Sequence, residues 1–468
     1  MVATQLYAAC APQIPAVQSP AAEIDGIGDP PGMRRALQRT INARDRASAW
    51  PGFDLDSAVL IAVVTPTGPV YVIGDSALPS GYRWLDDTRA IAVREGPPPD
   101  SLLGLQLGLD WNGRIGTATA GPLPADQAHL FPLFLVHEAF HTYQQRLQRA
   151  NPRRFSQLPN PSFPDSSSVH LALLNLESAY LGRAIAASGK STLRSNALTA
   201  LAIRMRRCAL LGEEECARER AMELIEGTAA YVASALLDRA PLGGAPMNVR
   251  DSLAQALVTV PDMSHLERWH YYTSGHAWLL LLEELGPPAW KSRVELSSPD
   301  VVLTEVLGLM PGEAASLFDA AQLTDAWTVA QATARDVFVA EIARRDSIER
   351  AFWDRPGVPF RIEFGQVRSL ASGQSLLADG RIEYTYNFGT NRIVIRGAAR
   401  KFCCHGVLTV VPTTSRSALL DGRAVALDSV GFHDSGTLDI DLPELTLRMN
   451  QASLRVYRDS VTIVSTSQ

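Results

Sequence analysis

Residues 137–141 read His137-Glu138-Ala139-Phe140-His141. On a helix, histidines at i and i+4 project from one face, one turn apart, so both imidazoles can reach a single metal ion. Imidazole suits zinc, and a glutamate beside the first histidine is placed to polarise a water held by that ion. The chemistry in view is metal-assisted hydrolysis. No other stretch of the chain suggests a reaction so directly.

The pair needs a helix to present it. Asp126 offers an N-cap or first-turn carboxylate after Pro122 and Pro124. Leu130, Phe131, Phe134, Leu135, Val136 and Phe140 supply an apolar pattern, so a mostly buried helix is expected from about Asp126 to about Gln148. Polar groups on a buried helix must find partners. The plain alternative is two core histidines bonded to backbone, with Glu138 at the surface.

A catalytic zinc takes three protein ligands and a water. Glu226, in Glu223-Leu224-Ile225-Glu226-Gly227-Thr228-Ala229-Ala230-Tyr231, is the expected third ligand, and Gly227 beside it leaves room for a close helix approach. Glu177, in Leu176-Glu177-Ser178, is the rival. Glu223 is expected as an exposed carboxylate on an acidic helix. The segment His270-Tyr271-Tyr272-Thr273-Ser274-Gly275-His276, if helical, puts Tyr272 and His276 on one face, with Gly275 permitting close packing. Hydrolysis at a carbonyl develops an oxyanion that a phenol or imidazole donor can stabilise. Tyr272 is the first choice, with His276 and Tyr271 behind it. An ordinary aromatic helix start packed on the core is the alternative.

H-E-x-x-H followed on a later helix by E-G-x-A-x-Y resembles the glutamate-zincin metallopeptidases. The resemblance is confined to motifs and covers residues 55–285. Carried over by position, it implies that His137, His141 and Glu226 bind one Zn²⁺ per chain and that Glu138 is the general base of peptide hydrolysis. It also implies a zincin-like domain, and a peptide or protein as substrate. The sequence departs from the pattern at Ala230, where thermolysin-like members carry an acid that orients a histidine. Another group must then do so, Glu223 or Glu177 being the candidates. The G-x-M-x-N signature of the large aminopeptidase branch is absent.

Around these motifs the chain reads as α+β. Residues 1–31 form an Ala/Pro-rich leader. Residues 32–48 suggest a short helix. Strands are expected at 58–64, 69–73 and 90–93. A hairpin follows, in which Leu103, Leu105, Leu107 and Leu109 alternate before an Asn112-Gly113 turn and a return strand from Ile115 to Ala120. This small sheet over 55–120, leading into the metal-binding helix, is the layout that the zincin resemblance implies. Helical patterns occupy 126–354: 169–187, 193–211, 214–237, 270–285 and one or two more over 312–353. Together 32–355 is expected to be one domain. From 356 to 468 short alternating runs punctuated by Gly, Asp and Asn predict a separate all-β domain, a sandwich or small barrel.

The chain has 468 residues, a formal net charge of −6 and five cysteines. The charge gives no reason to expect a nucleic-acid or anionic-membrane partner, and no apolar run is long enough for a transmembrane segment. Oligomeric state is not legible. The absence of a signal-like start points to the cytoplasm, while the leader and the zincin resemblance fit an exported enzyme. Cys10, Cys208, Cys216, Cys403 and Cys404 are expected as free thiols, since Cys208 and Cys216 two turns apart on one helix could not bridge. Arg204, Arg206 and Arg207 read as a solvated face or as partners of Glu213 to Glu215. His129, two turns before His137 on the same helix, could line a groove but is expected in a core or surface role, and His170, His265, His405 and His433 lack partner spacing.

Overall fold

The structure is a computed structural model. It describes residues 31–465 apart from several stretches, chiefly 45–48, 64–68, 76–79, 121–130, 159–167, 239–248, 260–262, 354–359 and those between the C-terminal strands. The leader, Asp126, His129 and the start expected for the metal-binding helix lie outside the described residues. The chain is α+β. It divides into two compact units, one holding Leu105–Ile342 with most of the preceding chain and the other holding Ala343–Gln468.

The larger unit begins with α1 (Pro31–Arg44) and a six-stranded sheet: β1 (Val59–Val63), β2 (Val70–Ile73), β3 (Arg83–Trp84), β4 (Ile91–Arg94), β5 (Gln106–Trp111) and β6 (Arg114–Ala120). Its order is β3-β4-β2-β1-β6-β5. Every residue of β1 and β2 is buried, which explains their continuous apolar sequence. β5 and β6 form the expected hairpin. Asn112 and Gly113 both take positive φ, 52° and 75°, the twist that a two-residue hairpin turn requires. β6 then pairs in parallel with β1, the only parallel pairing in this sheet among the described residues. That places β6 beside the following helix, and Thr117 Oγ1 lies 2.7 Å from Thr142 Oγ1.

Helices follow. They are α2 (Phe131–Ala150), α3 (Ser168–Ala186), α4 (Lys190–Leu211), α5 (Glu213–Met222), a π-helical turn (Glu223–Gly227) and α6 (Thr228–Asp238). After them come α7 (Val249–Val258), α8 (Met263–Leu285), α9 (Trp290–Val294), α10 (Pro299–Leu307), α11 (Pro311–Gln322) and α12 (Asp325–Trp353). One core joins sheet and helices. At its centre Trp50 packs edge-on against Phe140, Tyr231 and Trp290, at centroid distances of 5.7, 6.3 and 5.8 Å. Among the described residues no single helix is long and apolar enough to cross a membrane.

Three expectations are corrected here. The helix read over 214–237 is interrupted by the π turn. The chain also reverses at Gly212, whose φ of 86° disfavours any side chain. Cys208 and Cys216, on the separate helices read at 193–211 and 214–237, have Cα atoms 5.2 Å apart and form a disulfide instead of two free thiols. Finally, Arg204 and Arg207 are not solvated: they are 1% and 0% exposed.

The C-terminal unit carries β7 (Phe360–Glu363), β8 (Ala371–Leu376), β9 (Ile382–Phe388), β10 (Asn391–Arg396), β11 (Ala399–Cys403), β12 (Val407–Val411), β13 (Ser417–Leu420), β14 (Arg423–Ala426), β15 (Gly431–Asp441), β16 (Leu445–Val456) and β17 (Val461–Ser465). These eleven strands share one hydrogen-bonded network. Its main path runs β11-β12-β7-β17-β16-β10-β9-β8, with β15 also on β16. The two runs read at 445–449 and 454–457 are one long strand, β16. β7 and β17 pair in parallel, closing the first strand of the unit onto the last. Alternate residues Leu445, Leu447 and Met449 are buried, the pattern of a sheet with one covered face.

Candidate metal centre

α2 owes its position to its apolar side: Phe131, Leu135, Val136, Ala139 and Phe140 are buried in the common core. That packing aims His137, Glu138 and His141 toward the helices instead of solvent. Their ligand atoms lie within 4.8 Å of one another. The two imidazoles stand nearly perpendicular, with ring centroids 4.5 Å apart.

The π turn brings in a further carboxylate. One extra residue per turn rotates the side chains that follow and releases a backbone carbonyl from the usual ladder. It also coincides with a tight crossing of α8. A Cβ on Gly275 would lie 2.5 Å from the carbonyl oxygen of Glu223. Glu226 is thereby delivered to the histidines: its Oε2 lies 3.2 Å from His137 Nε2 and 3.1 Å from His141 Nε2. Two ligands bound at about 2.0–2.1 Å in a tetrahedron stand about 3.3 Å apart. The three atoms thus mark two edges of a zinc-sized polyhedron, and the donor set of two imidazoles and a carboxylate is one zinc accepts. Glu138 and Glu226 both stand by the imidazole pair, but Glu226 presents the oxygen shared between both Nε2 atoms.

The electrostatics agree with a cation site. Burial resists charge on His141, but the Glu226 charge and hydrogen bond, then Glu138 and Gln144, raise it to about 9. On Glu226 burial resists charge too, yet the two imidazoles hold its carboxyl well below the usual range. His137 is lowered, by burial and by the charge on His141. The cluster shares its proton through His141, and a divalent cation would replace it.

No family model, curated protein or solved structure matches this chain. The site must therefore be read from its own geometry.

Tyr272 is brought to the site: its ring stacks on His137, with centroids 5.4 Å apart and planes 13° from parallel. His276, one turn on, packs edge-on against Tyr231 at 6.0 Å, and burial pulls it down to about 4, so it is neutral at pH 7. Tyr271 turns elsewhere. Burial, then the nearby Glu219 charge, push its hydroxyl well above the usual range.

The rival ligand Glu177 is committed elsewhere. It accepts hydrogen bonds from Arg204 Nε at 2.8 Å and Arg207 Nε at 2.9 Å. Burial opposes its ionisation, but the two guanidiniums hold it at about 2. Glu223, expected at the surface, is buried. It accepts from both terminal nitrogens of Arg204 and from Ser274 Oγ at 2.5 Å. Arg207 also donates to Glu219, and Arg220 to Asp300. These groups form a largely buried ionic cluster behind the π turn, and neither Glu177 nor Glu223 bonds the His137 or His141 ring.

Gln144 takes that role, and sequence reasoning missed it. Its Oε1 lies 2.7 Å from His141 Nδ1, and its Nε2 donates to the carbonyl of Ile225 at 3.0 Å and to Thr228 Oγ1 at 2.7 Å. The signal was the spacing: i+3 from His141 on the same helix. A cavity of about 210 Å³, lined by Phe53, Thr117, Ala139, Thr142, Tyr143 and Arg146, adjoins the opposite face of α2 and is not part of this cluster.

Proposed function

We propose that this chain is a zinc-dependent metallohydrolase of the glutamate-zincin type, acting on peptide bonds. The reading is carried by the convergence of His137 Nε2 and His141 Nε2 on one oxygen of Glu226, at separations of 3.2 and 3.1 Å. His137, His141 and Glu226 would hold the ion. Zinc so held supplies a Lewis acid that polarises a carbonyl and lowers the pKa of water.

The chain's own residues supply the rest. Glu138 is buried beside the imidazoles, where its carboxylate takes the proton from the attacking water and passes it to the leaving amine. Tyr272, held against the His137 ring, donates its phenol to the oxyanion that develops on the attacked carbonyl. His276 is neutral and packed on Tyr231, which supports a positioning role within α8.

A second reading keeps the metal without turnover. It is favoured by the closure of the ligands, whose side chains are only 8%, 11% and 13% exposed at His137, His141 and Glu226, since a catalytic site keeps one position open. Hydrolysis of a non-peptide amide is the variant of the first reading that the same residues serve. Purified protein should carry one zinc per chain and cleave members of a mixed peptide library. Glu138→Gln should keep the zinc and lose turnover. Full activity in Glu138→Gln, or no zinc uptake at all, would sink the proposal, and zinc without any hydrolysis favours the second reading.

A further inference from the structure

Gln144 makes three contacts whose directions follow from chemistry alone. Ile225 O is a carbonyl and only accepts, so the end of the amide facing it must be the NH₂ group. The opposite end, Oε1, also only accepts. It faces His141 Nδ1 at 2.7 Å, so Nδ1 must carry a proton. When an imidazole holds its proton on Nδ1, Nε2 presents the lone pair that binds a metal. His141 Nε2 is the atom beside Glu226.

The same amide reaches the other ligand segment. Ile225 lies inside the π turn, one residue before Glu226, and Thr228 lies just beyond it. Thr228 Oγ1 accepts from Gln144 and donates back to the carbonyl of Leu224. Gln144, Ile225 and Thr228 are all buried. One side chain therefore ties α2 to the turn that carries the third ligand.

We infer that Gln144 is a positioning residue. Its oxygen selects the His141 nitrogen that faces the metal, and its NH₂ group holds the π turn so that Glu226 meets that nitrogen. The inference rests on the metal reading proposed above and goes beyond it in assigning the group that stands in for the acid absent at Ala230.

The test uses the full chain loaded with cobalt(II) as a paramagnetic substitute for zinc. In the wild type, the ring Nδ1–H of His141 should give a far-shifted proton signal that exchanges slowly with water, because Gln144 Oε1 holds it. Gln144→Met keeps the bulk and removes both hydrogen-bonding ends. It should lose that slow signal and bind zinc about 10–100-fold more weakly. Gln144→Glu keeps an acceptor, so the signal should persist and move further downfield under the stronger pull of a carboxylate. If the wild type takes up neither zinc nor cobalt, the metal reading itself falls. If it binds metal, but Gln144→Met matches it in affinity and in the exchange of that proton, this inference alone falls. Should Gln144→Met fail to fold, an unshifted signal in Gln144→Glu overturns the inference equally.

Discussion

Gly227 and Gly275 meet backbone to backbone: a Cβ on Gly227 would stand 2.5 Å from the Cα of Gly275. No side chain fits at either glycine of this crossing. This closeness puts Tyr272 of α8 against His137 while Glu226 reaches both imidazoles.

Gly275→Ala should therefore separate the two segments. Overpacking of this kind costs about 1–3 kcal/mol. The displaced π turn should also weaken zinc binding, which an exposed glycine substitution would not do. Chemical denaturation together with a zinc titration checks both. A protein with wild-type stability and affinity would contradict the crossing described here.

Metal removal should expose a pH dependence that metal hides. In the metal-free chain His141 is raised to about 9 from an ordinary value near 6.5. A raised folded value contributes stability that is fully present below about 6.5 and is lost as pH rises toward 9. Zinc bound as proposed would displace the Nε2 proton and should abolish that loss. Thermal unfolding of chelated and zinc-loaded protein between pH 6 and 9.5 measures the difference. Parallel curves would contradict the assignment.

Arg204 should be far more sensitive than its neighbour Arg206. Arg204→Met leaves the buried Glu223 with Ser274 Oγ alone and Glu177 with Arg207 alone, and breaking one partner of a buried pair costs about 3–5 kcal/mol. Arg206 is exposed, and Arg206→Met should stay within about 0.5 kcal/mol. Urea midpoints of the two variants decide it. Equal effects would mean the buried cluster is not what holds α3, α4 and the π turn together.

The Cys208–Cys216 bond closes a short loop around Gly212. Loop-closure entropy for a span of this size corresponds to about 2.5 kcal/mol. Cys216→Ser should lower stability by about that amount, and reduction of the wild type should match it. Mass spectrometry of alkylated protein should find neither thiol free before reduction. Such bonds persist in oxidising compartments, so recovery of both cysteines alkylated from freshly isolated protein would contradict the pairing.

Much of the site was legible because its signals are local. The His137/His141 spacing needs only a helix. The Asn112-Gly113 turn needs only two residues that tolerate positive φ. Gly227 and Gly275 announced a close approach because a missing Cβ means little else there. What stayed hidden depends on partners distant in sequence. Gln144 is an unremarkable surface-type residue until the π turn presents Ile225 O to it. Arg204 and Arg207 look solvated until Glu177, Glu219 and Glu223 gather around them from three segments. The disulfide stayed hidden because a break between 211 and 214 does not reveal how closely the turn at Gly212 brings Cys208 and Cys216 together. β16 was split because Asn450 and Gln451 interrupt its apolar pattern, yet β15 pairs on either side of them, at Met449 and Ala452, with a register shift between.

His137 and Glu226 are 89 residues apart in sequence. α2 alone offers two imidazoles, and the shared carboxylate oxygen arrives only when α5, the π turn and α8 have docked. On the metal reading proposed above, tight zinc capture would have to await that docking. A chain arrested with α2 formed and the later helices undocked would hold metal only loosely, so the ion would report completion of the larger unit rather than direct its beginning.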